Sequence, residues 1–232
     1  MKVTGATALV TGANRGFGRA LAAELLARGA TVYAGARDPG AIDLPGAIPV
    51  ALDITDPASI AAAVAKAGDL TLLVNNAGSA PAADLLTGDL EVIRSEFETH
   101  VFGTLAVIRA FAPRIAANGG GSVLNVLSVL SWLSFPHYGA YCAAKSAEWS
   151  MTNALRQQLA ADGVHVAGLH VGYMDTDMTS GVNAPKSAPA DIARIAVDGI
   201  ETDLAEILAD DISRQVQAGL AGGVAALYPA AA

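Results

Sequence analysis

The sequence is poor in cysteine, in positive charge and in long apolar runs, and each shortage argues against a class of protein. Among 232 residues there is one cysteine, Cys142, which cannot form an internal disulfide and agrees with a reducing compartment. The 14 lysines and arginines form no basic run and are outnumbered by 22 acidic residues, which gives a nucleic-acid partner little support. No apolar run reaches the ~20 residues of a membrane span. The opening MKVTGATALVTG meets a glycine loop too soon for a signal peptide. We therefore expect a cytoplasmic protein without a nucleic-acid or membrane partner.

Short apolar runs alternate with helical patterns along the whole chain. Strands are predicted at residues 6–12, 31–36, 48–53, 70–76, 122–128, 164–171 and 205–209. Because strand and helix alternate, the sheet should be parallel and covered by helices on both faces. A length of 232 residues suits one α/β domain with a substantial core. We therefore predict a single α/β domain over residues 1–232.

Helices are predicted between these strands, at residues 18–29, 56–68, 89–117, 141–161 and 189–200, with a closing helix after residue 210. Asp56, which precedes Pro57, is the expected N-cap of the second helix. Asp210 or Asp211 is the expected N-cap of the last helix. The alanine-rich tail after Tyr228 is expected to fray.

The stretch TGANRGFG, residues 11–18, follows the first strand and opens the first helix. Glycines at positions 12, 16 and 18 let the backbone approach a pyrophosphate, and the helix N-terminus offers free N–H groups to that anion. A plain tight turn is the alternative, but the position between a strand and a helix favours dinucleotide binding. The spacing is G-x-x-x-G-x-G and differs from the general G-x-G-x-x-G fingerprint.

A tyrosine and a lysine occur together in YGAYCAAKSAEW, residues 138–149. On a helix that begins near Tyr141, this tyrosine and Lys145 are four residues apart and share one face, whereas Tyr138 lies two turns from the lysine. A nearby ammonium group lowers the pKa of a phenol from about 10 toward neutrality, which would let Tyr141 transfer a proton. Taken alone, Y-x-x-x-K is short enough to occur by chance.

Four motifs, in order along the chain, resemble those of the short-chain dehydrogenase/reductase family. They are the glycine loop, NNAG at residues 75–78, Ser128 placed thirteen residues before Tyr141, and Y-x-x-x-K. The resemblance covers nearly the whole chain and implies a doubly wound Rossmann sheet of seven strands. It selects Tyr141 over Tyr138, because Ser128 stands at the family's distance from Tyr141.

The resemblance also implies a role for each catalytic residue. Tyr141 would be the general acid or base, and Lys145 would lower the pKa of Tyr141 and hold the nicotinamide ribose. Ser128 would hydrogen-bond the substrate oxygen. Donors aimed at that oxygen stabilise the negative charge that hydride transfer leaves there. For Ser128 alone, a serine that satisfies backbone groups at a strand end is the alternative.

The resemblance further indicates which positions would hold the cofactor. Asp53 and Ile54 match the adenine contact, although Asp53 or Thr55 as the cap of the next helix is an equal alternative from the sequence alone. In VGYMDTDM, residues 171–178, Thr176 would bond the nicotinamide carboxamide, and Val171 replaces the usual proline. The predicted cofactor-binding residues are Gly12, Asn14, Arg15, Gly16, Phe17, Gly18, Arg37, Asp53, Ile54, Asn75, Ala77, Gly78, Tyr141, Lys145, Gly172 and Thr176.

The end of the second predicted strand, YAGARDP, indicates which of the two nicotinamide cofactors, NAD or NADP, is used. An acidic residue at that strand end would bond the ribose 2′-hydroxyl of NAD and repel the 2′-phosphate of NADP. The resemblance places Ala36 there, followed at once by Arg37, and Arg15 would reach the same phosphate from the other side. If the strand ran one or two residues further, Asp38 would take the NAD-selecting place. We expect NADP.

His100 is the larger departure from the family pattern, which has an asparagine here that supports a water-linked proton relay behind the lysine. Main chain commonly holds the relay water at this position, so His100 would leave the relay intact. Alternatively, a histidine, which titrates near neutrality, would itself join the relay. A histidine that only packs or caps is the third possibility. The other histidines show no paired metal-ligand spacing, and we predict no metal.

Together these features predict an NADP-dependent reductase of ketones or aldehydes that works through Ser128, Tyr141 and Lys145, with His100 as a further catalytic candidate. The alternatives are an NAD-dependent alcohol dehydrogenase, a non-redox epimerase or dehydratase on the same fold, and a catalytically silent nucleotide-binding scaffold. The small residues of the segment 179–188 predict an open site.

Two further expectations concern surfaces. Six apolar residues would form a substrate wall or would instead pack in the core or between subunits: Trp132, Leu133, Phe135, Tyr138, Tyr173 and Met178. By resemblance, the helices at 89–117 and 141–161 would join subunits into a homodimer or homotetramer.

Overall fold

The computed structural model describes residues 1–228, so the predicted fraying of the alanine-rich tail lies outside the described residues. One seven-stranded sheet runs through this part of the chain. Its strands are β1 (Thr7–Thr11), β2 (Thr31–Ala36), β3 (Ile48–Ala51), β4 (Leu72–Asn75), β5 (Gly121–Val126), β6 (Val164–His170) and β7 (Glu206–Leu208). All neighbouring strands are parallel, in the order β3-β2-β1-β4-β5-β6-β7. The order reverses direction at β1 and β4, which is where open parallel sheets bind their ligands.

The predicted strands and the parallel sheet are confirmed, and one prediction, residues 31–36, matches at both ends. The other six predicted strands continue one or two residues too far; the third was predicted over 48–53 and is observed at Ile48–Ala51. Most of these extra residues are apolar or small and so continue the strand pattern; Asp53 and Asn76 are the exceptions. They lie instead in the loops at the carboxyl edge of the sheet, which carry the candidate site.

Helices cover both faces of the sheet. They are α1 (Gly16–Ala27), α2 (Pro57–Lys66), α3 (Leu90–Phe97), α4 (Thr104–Ala117), α5 (Gly139–Leu159), α6 (Pro189–Glu201), α7 (Asp211–Gly219) and α8 (Gly223–Leu227). The predicted caps are confirmed: Asp56 accepts a hydrogen bond from the Ala58 N–H at 2.9 Å, and Asp210 accepts one from the Ser213 N–H at 2.9 Å. No helix in residues 1–228 is both long and apolar enough to cross a membrane.

The predicted single helix over residues 89–117 is wrong in its middle, because a π-helical segment, Glu98–Gly103, separates α3 from α4. The segment contains His100, and a β-carbon on its last residue, Gly103, would lie 3.1 Å from the side chain of Ile54. The apolar periodicity of the two flanking helices hides the insertion from a sequence pattern. Short π segments of this kind occur frequently at functional sites.

The apolar core has one layer on each face of the sheet. One layer, beneath α1 and α6, includes Leu21 and Leu72, and the other, beneath α2 and α4, includes Leu73 and Phe111. Leu72 and Leu73 are consecutive residues of β4 and enter opposite layers, because successive strand residues face opposite sides of a sheet. All four side chains are fully buried. Because helices cover both faces of the sheet, its carboxyl edge is where functional loops are exposed.

Candidate active site

The glycine loop lies between β1 and α1 at the point where the strand order reverses. Gly12 and Gly16 have φ of +66° and +54°, a left-handed conformation that favours glycine. A β-carbon on Gly18 would lie 2.2 Å from the Gly12 carbonyl oxygen. The N-terminus of α1 receives no side-chain cap, so no capping side chain occupies its first backbone N–H groups. This open, uncapped helix end fits an anion such as a pyrophosphate.

Asn76, which the sequence reasoning did not single out, fixes the glycine loop. Its Nδ2 donates to the carbonyl oxygens of Thr11 and Gly12 at 3.0 and 3.3 Å, and the Thr11 hydroxyl accepts from the backbone N–H groups of Asn76 and Ala77. The predicted cofactor residue Asn75 is buried, and its Nδ2 donates to Asn125 Oδ1 at 2.9 Å. The side chain of Asn75 therefore joins β4 to β5, and a contact of Asn75 with the cofactor stays a prediction.

Two other predicted cofactor-binding residues, Phe17 and Ile54, have buried side chains. Phe17 is 6% exposed and belongs to the core layer beneath α1, and Ile54 is 7% exposed and belongs to the opposite layer. That Phe17 and Ile54 contact the cofactor stays a prediction, and with their side chains buried the contact would be made by their backbones. Asn14 is half-buried in the loop, and the Cα of Ala77 lies 2.9 Å from where a Gly12 β-carbon would be, so these small residues keep the loop compact.

β2 ends at Ala36, as predicted, and Arg37 and Asp38 follow it on the surface. Asp38 Oδ1 accepts a hydrogen bond from the Gly40 N–H at 2.9 Å and caps a short turn. The strand therefore does not extend to place Asp38 where an NAD-selecting acid would stand. Arg15 is also exposed, in the glycine loop, where its guanidinium lies 3.4 Å from Asp177.

Asp53 lies two residues beyond β3 and caps no helix. Its Oδ1 accepts from the backbone N–H and the hydroxyl of Thr55 at 2.9 and 2.7 Å. These two hydrogen bonds outweigh its partial burial and, with the positive charge of Arg37, lower the pKa of Asp53. Because Asp56 caps α2, the alternative that Asp53 or Thr55 does so is wrong. Arg37 and Asp53 are thus close enough to interact at the carboxyl edge.

Ser128, Tyr141 and Lys145 meet beyond the carboxyl end of β5. Ser128 is buried and its Oγ accepts from the Leu130 N–H at 3.1 Å, so it also satisfies the backbone as its alternative interpretation expected. Tyr141 lies in the first turn of α5, and Lys145 Nζ is 5.9 Å from the centre of its ring. Lys145 Nζ donates to the Val126 carbonyl oxygen at 2.8 Å. Tyr138 ends the preceding turn, outside the helix that pairs Tyr141 with Lys145.

Burial dominates the electrostatics of this tyrosine. Burial raises the pKa of Tyr141, and although Lys145 and the Ser128 side chain act in the opposite direction, the net pKa is raised. The influence of Lys145 therefore has the predicted sign, and burial outweighs it. For Lys145, burial is the largest single influence and lowers the pKa, but Glu148, Tyr141 and Glu96 together outweigh it, so the net pKa of Lys145 is raised.

A second group of polar residues lies behind Lys145, and we call Ser79, Glu96, His100 and Glu148 the acidic pocket. Glu148 Oε2 lies 2.6 Å from Lys145 Nζ and 3.9 Å from His100 Nδ1. The other ring nitrogen, His100 Nε2, is 2.7 Å from the Ser79 carbonyl oxygen and 3.6 Å from Glu96 Oε2.

Glu96 and Glu148 were not predicted as site residues; of this pocket, the sequence indicated only His100. A spacing signal was present for each: Glu96 precedes His100 by four residues and Glu148 follows Lys145 by three, which places each pair on one helix face. Such pairs are common on solvated helices, where they have no catalytic meaning. Only their burial, with both glutamates at most 1% exposed, distinguishes them.

His170 contacts Ser128, and Trp132 stacks on His170. Their rings stack 3.6 Å apart at 14°, and both are buried, so core packing, the alternative to a substrate wall, holds for Trp132. His170 Nδ1 is 3.2 Å from the Ser128 carbonyl oxygen. Burial lowers the pKa of His170 to about 4. Phe135 and Met178 are 40% and 56% exposed and remain candidates for contact with substrate.

The turn after β6 is restrained even though Val171 replaces the proline of the family pattern. The Gly172 N–H donates to Asp210 Oδ2 at 2.7 Å, and the other oxygen of Asp210 caps α7. The side chain of Thr176 faces the glycine loop, 3.5 Å from where a β-carbon of Gly16 would be. Across residues 1–228, no cluster of three or more histidine, cysteine, aspartate or glutamate side chains could hold a metal ion.

Comparison with known proteins agrees with this geometry. The family described as short chain dehydrogenase matches residues 6–187. The sorbitol dehydrogenase of Cereibacter sphaeroides is 35% identical over 195 residues, which cover 79% of this chain and 76% of that protein. A short chain dehydrogenase from Burkholderia cenocepacia J2315, solved in complex with NADP, is 37% identical with a TM-score of 0.94 and 98% coverage of both chains.

A second solved structure shows the other cofactor. The short chain dehydrogenase/reductase from Burkholderia phymatum, in complex with NAD, is 25% identical to this chain with a TM-score of 0.86 and 95% coverage of both chains. The likeness in fold to these two structures extends over nearly all of the sequence. The chain is therefore an oxidoreductase of the short-chain dehydrogenase/reductase family, as its motifs predicted.

Proposed function

We propose that the protein reduces a ketone or aldehyde to an alcohol with NADPH and catalyses the reverse reaction with NADP⁺. The observation that carries the proposal is the meeting of Ser128, Tyr141 and Lys145 beyond the end of β5, on the same sheet edge as the glycine loop. A bound nicotinamide would supply or accept the hydride. Gly12, Gly16 and the uncapped start of α1 would hold its pyrophosphate, and Lys145 and Thr176 its nicotinamide half.

The side chains of Ser128 and Tyr141 would then stabilise and protonate the substrate oxygen. The Ser128 hydroxyl would donate to that oxygen while the Tyr141 phenol transfers its proton to it, so that an O–H bond breaks on Tyr141 and another forms on the product. A phenol is protonated at neutral pH, as the acid role in reduction requires, and the positive charge of Lys145 acts to lower the pKa of Tyr141 against the effect of burial. The ammonium group of Lys145 would stabilise the phenolate that remains.

The preference for NADP rests on the end of β2. Arg37 and Arg15 are exposed cations with the planar shape that matches a phosphate, while Asp38 is engaged in its own turn. The NADP complex of the Burkholderia cenocepacia relative supports this choice. An NAD-dependent dehydrogenase is the second candidate, supported by the NAD complex of the Burkholderia phymatum relative.

The substrate class is proposed from two observations. The sorbitol dehydrogenase relative suggests polyols and the corresponding ketoses. The short segment after Thr176 and the exposed side chains of Phe135 and Met178 leave the entrance open on one side. We therefore propose a small ketone as the substrate, with a polar end that reaches solvent. A homo-oligomer joined through α4 and α5, and a cytoplasmic location, complete the proposal.

The experiment that tests this function follows the loss of NADPH or NADH absorbance against a panel of ketoses, diketones, aryl ketones and aldehydes, with polyols tested in the reverse direction. We expect turnover of at least one carbonyl compound with NADPH, and none above background in Tyr141→Phe. Absence of hydride transfer with both cofactors across the panel, in a protein that binds NADPH, would contradict the proposal and support the scaffold alternative.

A further inference from the structure

His170 is a fully buried histidine to which the proposed reaction gives no task. It is the last residue of β6, and its side chain is 0% exposed. Its Nδ1 lies 3.2 Å from the carbonyl oxygen of Ser128, the residue proposed to donate to the substrate oxygen. Buried polar contacts of this kind make a structure rigid at one place. The contact therefore raises the question of what His170 does for Ser128.

The His170 ring donates its hydrogen bond from Nδ1. Burial lowers the pKa of His170 to about 4, so the ring is neutral at pH 7 and carries one N–H. Within residues 1–228, Nε2 has no hydrogen-bond partner, and Glu206 Oε1 is 3.8 Å from it. A lone pair on Nδ1 would face the lone pairs of the Ser128 carbonyl oxygen, so we assign the proton to Nδ1.

Ser128 begins a short turn whose geometry sets the direction of its hydroxyl. The turn is a 3-10 helix, Val129–Ser131, and it ends at Trp132. The Ser128 carbonyl oxygen accepts from the Ser131 N–H at 3.0 Å, and the Ser128 Oγ accepts from the Leu130 N–H at 3.1 Å. The turn therefore uses a lone pair of the hydroxyl oxygen and leaves its hydrogen to be donated elsewhere.

His170 holds this turn at both ends. At the start of the turn, Nδ1 bonds the Ser128 carbonyl oxygen. At its end, the His170 ring stacks on the Trp132 ring with centroids 3.6 Å apart and an angle of 14° between the planes. A single side chain from β6 thus fixes two residues that are four positions apart on the neighbouring segment.

The stack is itself supported by α5, β7 and α7. The Trp149 ring meets the Trp132 ring edge-on, with centroids 6.0 Å apart at 86°. Trp149 Nε1 donates to Glu206 Oε1 at 2.9 Å, and Gln217 Nε2 donates to the other oxygen of Glu206 at 2.8 Å. Because helices and a strand supply these contacts, the support of His170 is more rigid than a loop would provide.

We propose that His170 is a positioning residue for Ser128, an inference that rests on the proposed function. By holding both ends of the turn, His170 sets the direction in which the Ser128 hydroxyl donates to the substrate oxygen. A misplacement of about 1 Å can lower a rate on the order of a hundredfold, so the loss of His170 should slow the reaction although it removes no reacting group.

The first experiment measures carbonyl reduction with NADPH in three variants. His170→Leu removes both contacts, and we expect kcat to fall about tenfold, with KM for NADPH within about twofold of wild type. His170→Asn, which keeps an N–H donor, and His170→Phe, which keeps a ring, should each lose only about threefold. An unchanged kcat in His170→Leu would overturn the proposal.

His165→Leu is the matched control for these variants. His165 lies near the other end of β6 and also bonds a carbonyl oxygen, that of Leu204, at 3.1 Å. Its replacement should leave kcat within about twofold of wild type. A tenfold loss in His165→Leu would show that any histidine of this strand supports turnover through the fold, and would overturn a specific role for His170.

The second experiment asks whether His170 acts through Ser128. The His170→Leu substitution is repeated in Ser128→Ala, whose residual turnover is measured at a higher enzyme concentration. We expect His170→Leu to lower kcat less than about twofold in that background, because the hydroxyl that it misplaces is already absent. A tenfold loss in both backgrounds would mean that His170 acts on the fold in general, and would overturn the proposal.

The third measurement needs no turnover. Amide hydrogen exchange in the full-length protein, followed by NMR, reports on the Leu130 and Ser131 N–H groups, which bond Ser128. We expect His170→Leu to speed exchange at these two groups at least about fivefold and to leave the amides of β1 unchanged. Exchange at Leu130 and Ser131 that equals wild type would overturn the proposal.

The outcomes separate this proposal from the proposed function. If the wild-type protein reduces no carbonyl compound, the proposed function fails, while hydrogen exchange still reports whether His170 holds the turn. If His170→Leu fails to fold, His170→Asn and His170→Phe decide the question by the same measurements, since each keeps one of the two contacts. Wild-type kcat and wild-type exchange in both of these variants would then overturn the proposal.

Discussion

The Tyr141–Lys145 pair separates two regions of opposite character. On the cofactor side, exposed backbone N–H groups of the glycine loop and two surface cations, Arg15 and Arg37, face solvent. On the other side, the acidic pocket buries two carboxylates and a histidine. The cofactor side is built from short, contiguous stretches of chain, whereas the acidic pocket is assembled from three elements and one loop. The comparison indicates that the glycine loop depends on local geometry, whereas the acidic pocket depends on packing between distant parts of the chain.

The largest expected effect is at the boundary between the two regions. Tyr141→Phe removes only the hydroxyl, and we expect kcat to fall on the order of a thousandfold or more, because this hydroxyl is the group proposed to protonate the substrate oxygen. NADPH binding, measured by quenching of protein fluorescence, should stay within about threefold of wild type. Tyr138→Phe is the matched control and should keep most of the activity. If Tyr138→Phe alone abolished turnover, the wrong tyrosine would have been assigned.

A smaller effect is expected on the cofactor side. A charge-assisted contact contributes about 1.5 to 3 kcal/mol, so two arginines imply a preference in kcat/KM for NADPH over NADH of roughly a hundredfold. Ala36→Asp combined with Arg37→Ile should reverse the order, because the new carboxylate bonds the ribose 2′-hydroxyl and repels the phosphate. Initial rates with each cofactor measure the preference. Equal or better activity of the wild-type protein with NADH would show that Arg37 does not select the phosphate.

Three glycine-to-alanine substitutions test how well the glycine loop, the acidic pocket and an open surface loop each accommodate an added carbon atom. A β-carbon on Gly18 meets the backbone of Gly12 at 2.2 Å, one on Gly78 meets the His100 side chain at 2.5 Å, and one on Gly181 meets nothing within 4 Å. We expect losses in the free energy of unfolding of about 3 kcal/mol for Gly18→Ala, about 1 kcal/mol for Gly78→Ala and less than about 0.5 kcal/mol for Gly181→Ala.

Urea denaturation of the three glycine variants measures these losses. The ranking follows from what each added carbon meets, because a backbone carbonyl cannot move aside as a side chain can. Gly78→Ala should also lower kcat more than its effect on stability explains, since it displaces His100. If Gly78→Ala were as destabilising as Gly18→Ala, the acidic pocket would be as rigid as the glycine loop.

The last prediction concerns pH and His170, the buried histidine outside the acidic pocket. The pKa of His170 is about 4 in the folded protein and ~6.5 in an unfolded chain, so the unfolded state binds the proton first as pH falls. Stability that is present above pH ~6.5 is therefore lost toward pH 4, with about 2 kcal/mol lost between pH 7 and pH 5.

The test compares the pH dependence of unfolding in wild type and His170→Phe, which keeps a ring stacked on Trp132. The variant should lose less stability between pH 7 and pH 5 than wild type does. His137→Asn removes a histidine from the surface and is the matched control. An identical pH dependence in wild type and His170→Phe would show that His170 does not titrate with this sign.

Much of the fold and part of the candidate site were predictable because their signals are local. The strand at residues 31–36 and the cap Asp56 depend on apolar runs and turn residues that lie next to each other in the chain. The direction of the Phe17 and Ile54 side chains was not predictable, because a motif gives a position and not the face to which a residue points. The hydrogen bonds of Asn75 and Asn76 to different neighbouring strands have the same cause: successive residues at a strand end point to opposite sides.

The sequence alone determined the parallel sheet, the glycine loop, the pairing of Tyr141 with Lys145 one helical turn apart, and the order of the motifs that indicate the family. Each of these depends on a period or a spacing within a few residues. Only the tertiary structure decided that Glu96, His100 and Glu148 share one buried pocket with Lys145, and that burial outweighs the lysine in setting the pKa of Tyr141. These outcomes depend on distances between residues far apart in the chain and on the exclusion of water, and neither is written in the local sequence.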